Sequence, residues 1–204
     1  DLALLLSTSG STGSPKLVRL SKSSVHANAS SIVEYLNICE SDVAITMMPM
    51  NYSYGLSVIN SHLYAGAKLV ITESGLLSRE FWQLINQYMV TTLAGVPYMW
   101  QMLKKMRFER FDTRNIRYMT QAGGKLDPDT LNYFLERIDT KQRFIVMYGQ
   151  TEATARMSYL PHNLLPKKIG SIGRAIPGGK LWIRCKDNSL TDSPNVTGEI
   201  IYHG

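Results

Sequence analysis

Short apolar runs alternate with segments of helical hydrophobic period along most of this chain, and that alternation limits the fold more than any other feature. Residues 43–48, 68–72, 92–96, 118–122 and 144–148 read as strands. Helical patterns separate them: 56–64 closed by Gly66, 79–88 capped by Ser78, 97–106 with Pro97 in first position, and 128–137 capped by Asp127. Ser21 caps an earlier helix with apolar positions at Val25, Ala29, Ile32, Val33 and Leu36. Repeated strand–helix units predict an α/β fold, a mostly parallel sheet flanked by helices on both faces. Residues 2–6 form a continuous apolar run, which reads as one more strand, buried on both faces. After about Arg174 the pattern changes. Segments 180–185 and 199–202, joined by the turn-rich stretch 186–197, predict a small antiparallel β appendage at the C-terminal end. The expected division is therefore an α/β core over 1–175 and the start of a β subdomain over 176–204.

Composition excludes several classes. A hydrophobic share of 44% supports a real core and excludes wholesale disorder. No apolar run approaches the ~20 residues that span a bilayer, so no membrane partner is expected. No basic-then-apolar leader precedes the first strand pattern, and a cytoplasmic setting is the expectation. The net charge of +6 is uneven: Lys104, Lys105, Arg107, Arg110, Arg114 and Arg117 face only Glu109 and Asp112 within the same stretch. That run is either a solvated helix end or a docking patch for an anion. No nucleic-acid module signature accompanies it, so a nucleic-acid partner is not expected. Cys39 and Cys185 stand alone without a CxxC pair or a histidine cluster, which argues against zinc and reads as buried free thiols in a reducing compartment. The two ends, Asp1 with apolar residues at once behind it and Gly204 closing a strand pattern, read as cut from a longer polypeptide.

Two loops carry the chemistry. Residues 7–16 read Ser-Thr-Ser-Gly-Ser-Thr-Gly-Ser-Pro-Lys, with six hydroxyl side chains, two glycines and a lysine directly after a strand pattern. Glycines let backbone N–H groups approach an anion, hydroxyls donate to phosphate oxygens, and Lys16 adds a point charge. This is a phosphate cradle by composition, but not the Walker loop, which needs glycine where Pro15 stands. The second loop, Tyr148-Gly149-Gln150-Thr151-Glu152, lies at the C-terminal end of a strand pattern, where parallel sheets bind ligands. Tyr148 suits stacking on a base and Thr151 suits donation to a phosphate. Glu152 suits Mg²⁺, a hard cation that takes oxygen ligands; the alternative for Glu152 is a plain helix-start residue.

Together, about 130 residues apart, these loops resemble the adenylate-forming superfamily of acyl-CoA synthetases, peptide-synthetase adenylation domains and luciferases. Thr8 to Lys16 matches its phosphate-loop signature, except that Leu17 stands where glycine is usual. Tyr148 to Glu152 matches its Tyr-Gly-x-Thr-Glu signature in full. Weaker likenesses are Pro49-Met50-Asn51-Tyr52-Ser53-Tyr54-Gly55, which resembles the aromatic segment beside the carboxylate, and Gln121-Ala122-Gly123-Gly124-Lys125-Leu126, which resembles the strand end facing adenine. Lys125 replaces the common proline there. The Gly170–Gly178 stretch and Thr197-Gly198-Glu199-Ile200 match later framework motifs.

The resemblance implies a truncated acyl-CoA synthetase-like N-terminal domain whose core is nucleotide-binding. It implies a ligase that activates a small carboxylic acid with ATP and Mg²⁺ to an acyl-adenylate and pyrophosphate. Transfer to coenzyme A or a carrier-protein phosphopantetheine would follow, with an acyl carrier protein as a possible partner in the latter case. Residue by residue, it implies phosphate contacts from Thr8, Ser9, Gly10, Ser11, Thr12, Gly13 and Lys16, and adenine contacts from Ala122, Gly123, Gly124 and Tyr148. It also implies an acyl pocket at Tyr52 and Tyr54, catalytic contacts from Thr151, Glu152 and Lys16, and a metal carried by Glu152. The family's ribose-binding aspartate and its late lysine, on a mobile C-terminal domain, have no counterpart in these 204 residues. The 204 residues alone are therefore expected to be inactive or very weak. The competing reading, motivated by Leu17, Lys125 and the basic run, is a non-catalytic nucleotide-binding or interaction module.

Overall fold

The structure is a computed structural model and describes residues 1–8 and 16–204. Ser9, Gly10, Ser11, Thr12 and Gly13 of the expected phosphate cradle lie outside the described residues. Strand β1 (Leu2–Thr8) pairs antiparallel with β2 (Lys16–Ser21), and Ser21 caps helix α1 (Lys22–Leu36) by accepting from the Ser24 N–H. Then follow β3 (Val43–Ile45), α2 (Ser53–Tyr64), β4 (Lys68–Val70), α3 (Arg79–Gln87), β5 (Thr92–Gly95), α4 (Pro97–Lys105), β6 (Tyr118–Gln121), α5 (Pro128–Leu135) and β7 (Arg143–Tyr148). The expected caps at Ser78 and Asp127 both accept backbone hydrogen bonds, from Glu80 and Thr130. Strands β8 (Ser158–Leu160) and β9 (Arg174–Ala175) complete a seven-stranded sheet of order β4-β3-β5-β6-β7-β8-β9. Its first five strands are parallel, and β8 and β9 are antiparallel additions. Strands β10 (Lys180–Arg184), β11 (Leu190–Thr191) and β12 (Glu199–His203) form a separate antiparallel sheet, as the C-terminal pattern predicts.

Alternation along the central strands sends successive side chains to two cores. Leu93, Met119 and Phe144 pack with α3, α4 and α5 through Phe81, Trp100 and Phe134. Their strand neighbours Ala94, Tyr118 and Ile145 pack on the opposite face with α1 and α2 through Ile32, Leu36 and Tyr54. Helices therefore cover both faces. Burying each of Trp100, Phe134 and Phe144 contributes roughly 1.5–3 kcal/mol, and the Trp100 indole N–H is satisfied by the Gly95 carbonyl at 2.9 Å.

Two expectations change, and two strands have no counterpart in the sequence pattern. The 2–6 run is not a strand buried on both faces: of β1 only Leu6 is buried, and Leu2 and Leu5 are half exposed. Its partner is β2, in a two-stranded sheet of its own, so β1 belongs to a hairpin outside the parallel sheet; an apolar run identifies a strand without naming its neighbours. The cysteines are not both buried. Cys39 is exposed in the turn after α1, and Cys185 is intermediate. Finally, β8 and β9 come from a stretch too short and turn-rich to show strand periodicity.

The N-terminal edge of the parallel strands is locked by one buried carboxylate. Asp42, 1% exposed, accepts from Arg117 Nε at 3.0 Å, Thr91 Oγ1 at 2.8 Å and the Cys39 N–H at 3.0 Å. Burial pushes its pKa up, but the hydrogen bonds from Arg117, Cys39 and Thr91 outweigh burial and hold the carboxyl below its usual range. A carboxylate so depressed stabilises the fold above its unfolded pKa of about 3.9 and loses that contribution as pH falls through the lower folded value. We predict that Asp42→Asn costs about 2–4 kcal/mol near neutrality, because Arg117 is then left without its counter-charge. Urea titrations should show the gap from wild type closing as pH drops below about 4; a pH-independent gap would contradict this account.

Candidate functional site

Parallel strands deliver their C-terminal ends to one edge of the sheet, and the loops that follow β6 and β7 meet there. After β6, Gly123 turns the chain with φ of 79°, and a Cβ at this position would collide with the Tyr52 hydroxyl. Glycine is thus required twice over, for the left-handed backbone and for the close approach of the ring. Tyr52 and Ser53 stand at the N-terminus of α2, so the helix start faces the β6 turn.

After β7 the chain makes a tight loop before returning as β8. Gly149 lies against the Ala155 carbonyl so closely that a Cβ would overlap it. Between them, Thr151–Ala153 forms one 3-10 turn, held by Ala153 N–H to Gln150 carbonyl at 3.1 Å and Thr154 N–H to Thr151 carbonyl at 3.0 Å. The Ser53 and Thr151 hydroxyls are 3.2 Å apart, which joins the α2 start to this turn. Gln150 Nε2 donates to the Tyr148 hydroxyl at 2.8 Å and fixes the ring's outer end.

These elements enclose a cavity of ≈ 530 Å³ lined by Tyr52, Gly123, Gly124, Tyr148 and Thr151, together with Lys125 and the Gly170–Ile172 loop. The last of these is tethered to β8 by the Ser158 hydroxyl, which donates to the Ile172 carbonyl at 2.8 Å. A second hollow of ≈ 790 Å³ lies beside it, lined by Arg19, Glu152 and the strand β12 residues Ile201 and Tyr202. Tyr148 and Gln150 line both and form the ridge between them. Strand β2 packs against the 151–153 turn, which brings the hairpin carrying Thr8 and Lys16 to the same end of the molecule. Thr8 and Lys16 pair directly across that hairpin, and Lys16 is exposed.

The candidate residues fall in several different places. Tyr52, Gly123, Gly124, Tyr148 and Thr151 share one cavity. Glu152 is exposed and faces the second hollow. Tyr54 is not a pocket wall: it is 3% exposed, and its hydroxyl lies 2.8 Å from the Thr120 carbonyl and 2.9 Å from Thr120 Oγ1. Burial pushes the Tyr54 phenol well above its ordinary value. Ala122, 4% exposed, belongs to the core beneath the β6 turn and does not line the cavity.

Two further residues take part that the sequence motifs give no role. Gln121 is fully buried at the last residue of β6, and its Nε2 donates to the Gly124 carbonyl at 2.7 Å. Two polar residues, Thr120 and Gln121, in a strand pattern between buried neighbours were the available signal. Arg156 is 2% exposed, donates through Nε and Nη2 to the Ser57 hydroxyl at 3.2 and 3.0 Å, and stacks 4.3 Å from the Tyr54 ring centroid. Nothing in the sequence marks it as buried. For a metal, the described residues contain no cluster of three or more His, Cys, Asp or Glu. An ion here would have one protein carboxylate, Glu152, and would need its other oxygens from phosphate and water, a donor set that fits Mg²⁺.

The whole chain, residues 1–204, matches the family model described as AMP-binding enzyme. It is 28% identical to oxalate–CoA ligase of Arabidopsis thaliana over 100% of this chain and 40% of that protein. It is 29% identical to indoleacetate–CoA ligase of Aromatoleum aromaticum over 98% of this chain and 39% of that one. Among solved structures it is similar to o-succinylbenzoate coenzyme A synthetase of Bacillus subtilis in complex with ATP and magnesium ion. That likeness has a TM-score of 0.85 and 25% identity, over 98% of this chain and 40% of the other. The chain thus spans about two fifths of the length of the curated relatives it matches.

We predict that Gly149→Ala destabilises the fold by about 1–3 kcal/mol through overpacking against the Ala155 carbonyl. The urea midpoint should fall with the slope unchanged; a neutral substitution would show that the loop is free to open.

Proposed function

Because the chain belongs to the AMP-binding enzyme family, we propose that it forms the nucleotide- and acid-binding part of a longer ATP-dependent ligase that activates a small carboxylic acid. The observation that carries this reading is the convergence of Gly123, Gly124, Tyr148 and Thr151 on one cavity at the C-terminal edge of the parallel strands. In the proposed reaction the acid's carboxylate oxygen attacks the α-phosphorus of ATP. The bond to the bridging oxygen breaks, pyrophosphate leaves, and an acyl-adenylate is formed. No protein nucleophile is needed. Two anions must approach one another, so the site's task is charge neutralisation and alignment.

Each residue has a role in this reading. Tyr148 and the Gly123–Gly124 turn hold adenine between a ring and a bare backbone. Thr151, already set by Ser53, donates to the α-phosphate. Tyr52 separates acyl group from nucleotide. Thr8, Lys16 and the loop between them carry the β- and γ-phosphates and the departing pyrophosphate. Glu152 would hold Mg²⁺, which supplies positive charge at the phosphates. Residues 1–175 act as the nucleotide-binding core and 176–204 as the start of a β subdomain leading toward a mobile C-terminal domain. A thiol then takes the acyl group. Coenzyme A is favoured over carrier phosphopantetheine by the names of the CoA ligases above. A cytoplasmic setting accords with two free cysteines, and among the described residues no helix is long and apolar enough to cross a membrane.

The test is acid-dependent exchange of labelled pyrophosphate into ATP by the full-length protein across a panel of carboxylic acids. Exchange with at least one acid is expected. ATP binding without exchange for any acid would favour a non-catalytic module. Thr151→Ala should slow exchange by about 10²-fold, the order seen when one donor to a developing anion is removed. Residues 1–204 alone should show little or no exchange.

A further inference from the structure

Beyond the Tyr148–Gln150 ridge, the ≈ 790 Å³ hollow draws its charge from two side chains. Among the described residues, Arg19 is the one lysine or arginine in its lining and Glu152 the one aspartate or glutamate. Arg19 comes from β2 and Glu152 from the 151–153 turn, and these two elements pack together. Both side chains are exposed, yet among the described residues neither takes part in an ion pair. Arg19 is therefore not spent on holding the fold, in contrast to Arg117 and Arg156.

A carboxylate and a guanidinium that share a hollow without pairing suit a ligand that brings a cation and an anion together. Magnesium with phosphate is such a ligand: a carboxylate takes the hard cation, and the planar guanidinium fork takes phosphate oxygens in pairs. The place agrees with the nucleotide reading. Adenine at the Gly123–Gly124 turn and the α-phosphate at Thr151 leave the outer phosphates to run past the ridge, toward the hairpin that carries Thr8, Lys16 and Arg19. A triphosphate and a carboxylate also bring more negative charge than Lys16 and a magnesium ion offset. We propose that Arg19 binds the β- and γ-phosphates of ATP in this hollow, and the pyrophosphate they become. The inference rests on the carboxylate-activating reading above and adds to it a residue outside the phosphate-loop signature.

The experiment uses the full-length protein and compares ATP with AMP, which lacks the outer phosphates. Calorimetry gives both affinities, with Mg²⁺ and with EDTA. Arg19→Ala should weaken ATP binding by about tenfold or more, the order expected when hydrogen bonds to a charged group are lost, and leave AMP binding unchanged. Arg19→Lys, which keeps the charge but not the fork, should lose less. The loss for ATP should persist in EDTA, because the guanidinium acts on phosphate and not through Glu152. In pyrophosphate exchange the KM for pyrophosphate should rise while the KM for the acid stays as it is. ATP affinity that Arg19→Ala leaves untouched, or ATP and AMP affinities that fall together, overturns the proposal; exchange by the wild type then still upholds the ligase reading. Absence of exchange with every acid, alongside an ATP-only loss in Arg19→Ala, removes the ligase reading and leaves the Arg19 contact standing. A wild type that binds neither nucleotide overturns both. If Arg19→Ala fails to fold, Arg19→Gln, planar at its end and uncharged, takes its place.

Discussion

The guanidinium of Arg156 is buried between two helices and a strand, and among the described residues no carboxylate pairs with it. Removing such a charge from water is expensive unless its donors are engaged. Here Ser57 takes Nε and Nη2, Nη1 reaches the Tyr35 hydroxyl and Met147 Sδ, and the Tyr54 ring lies against its face. Its own backbone carbonyl accepts from Asn28 Nδ2 at 2.9 Å. One residue thereby ties α1, α2, β7 and the loop back to β8. The consequences reach the cavity: α2 carries Tyr52 and Ser53, and the loop carries Thr151. The tie thus backs the 3.2 Å approach of Ser53 to Thr151, alongside the bond of Tyr54 to Thr120.

Charge elsewhere is handled more conventionally. The basic run that stands out in the sequence divides once folded. Arg117 leaves it to bind Asp42 beneath the parallel strands. Arg114 pairs with Asp112 in solvent, and Lys104 lies 5.8 Å from the Tyr133 ring. Lys105 stands with Lys104 in the last turn of α4, where cations complement the helix dipole, and Arg107 precedes and Arg110 closes the 3-10 turn Phe108–Arg110 that follows. A contiguous cationic stretch in the chain is thus not a contiguous cationic surface.

How far the sequence could be read follows from where information is local. Strand–helix alternation, caps at Ser21, Ser78 and Asp127, and the proline starts of α4 and α5 are local, and all are present. Partner identity is not local. The leucines of β1 resemble those of a central strand, but Lys16–Ser21 claims them for a hairpin. Tyr52 and Tyr54 differ by two positions at one helix start, and only the position of Thr120 on β6 sends one ring to the cavity and the other to the core. Gln121 sits within a recognisable motif, yet its burial and its bond to the Gly124 carbonyl exist only after the strands have paired.

The β1–β2 hairpin stands apart from the seven-stranded sheet, with Leu2, Leu5 and Leu17 open to solvent. A two-stranded ribbon is marginal by itself, so its order derives from the α1 cap and from contact with the 151–153 turn. Amide hydrogens of β1 and β2 then belong to a unit that opens at lower free energy than the strands between β3 and β7. On this ground the hairpin is expected to exchange its amide hydrogens faster than the seven-stranded sheet, at the edge where the cavity opens.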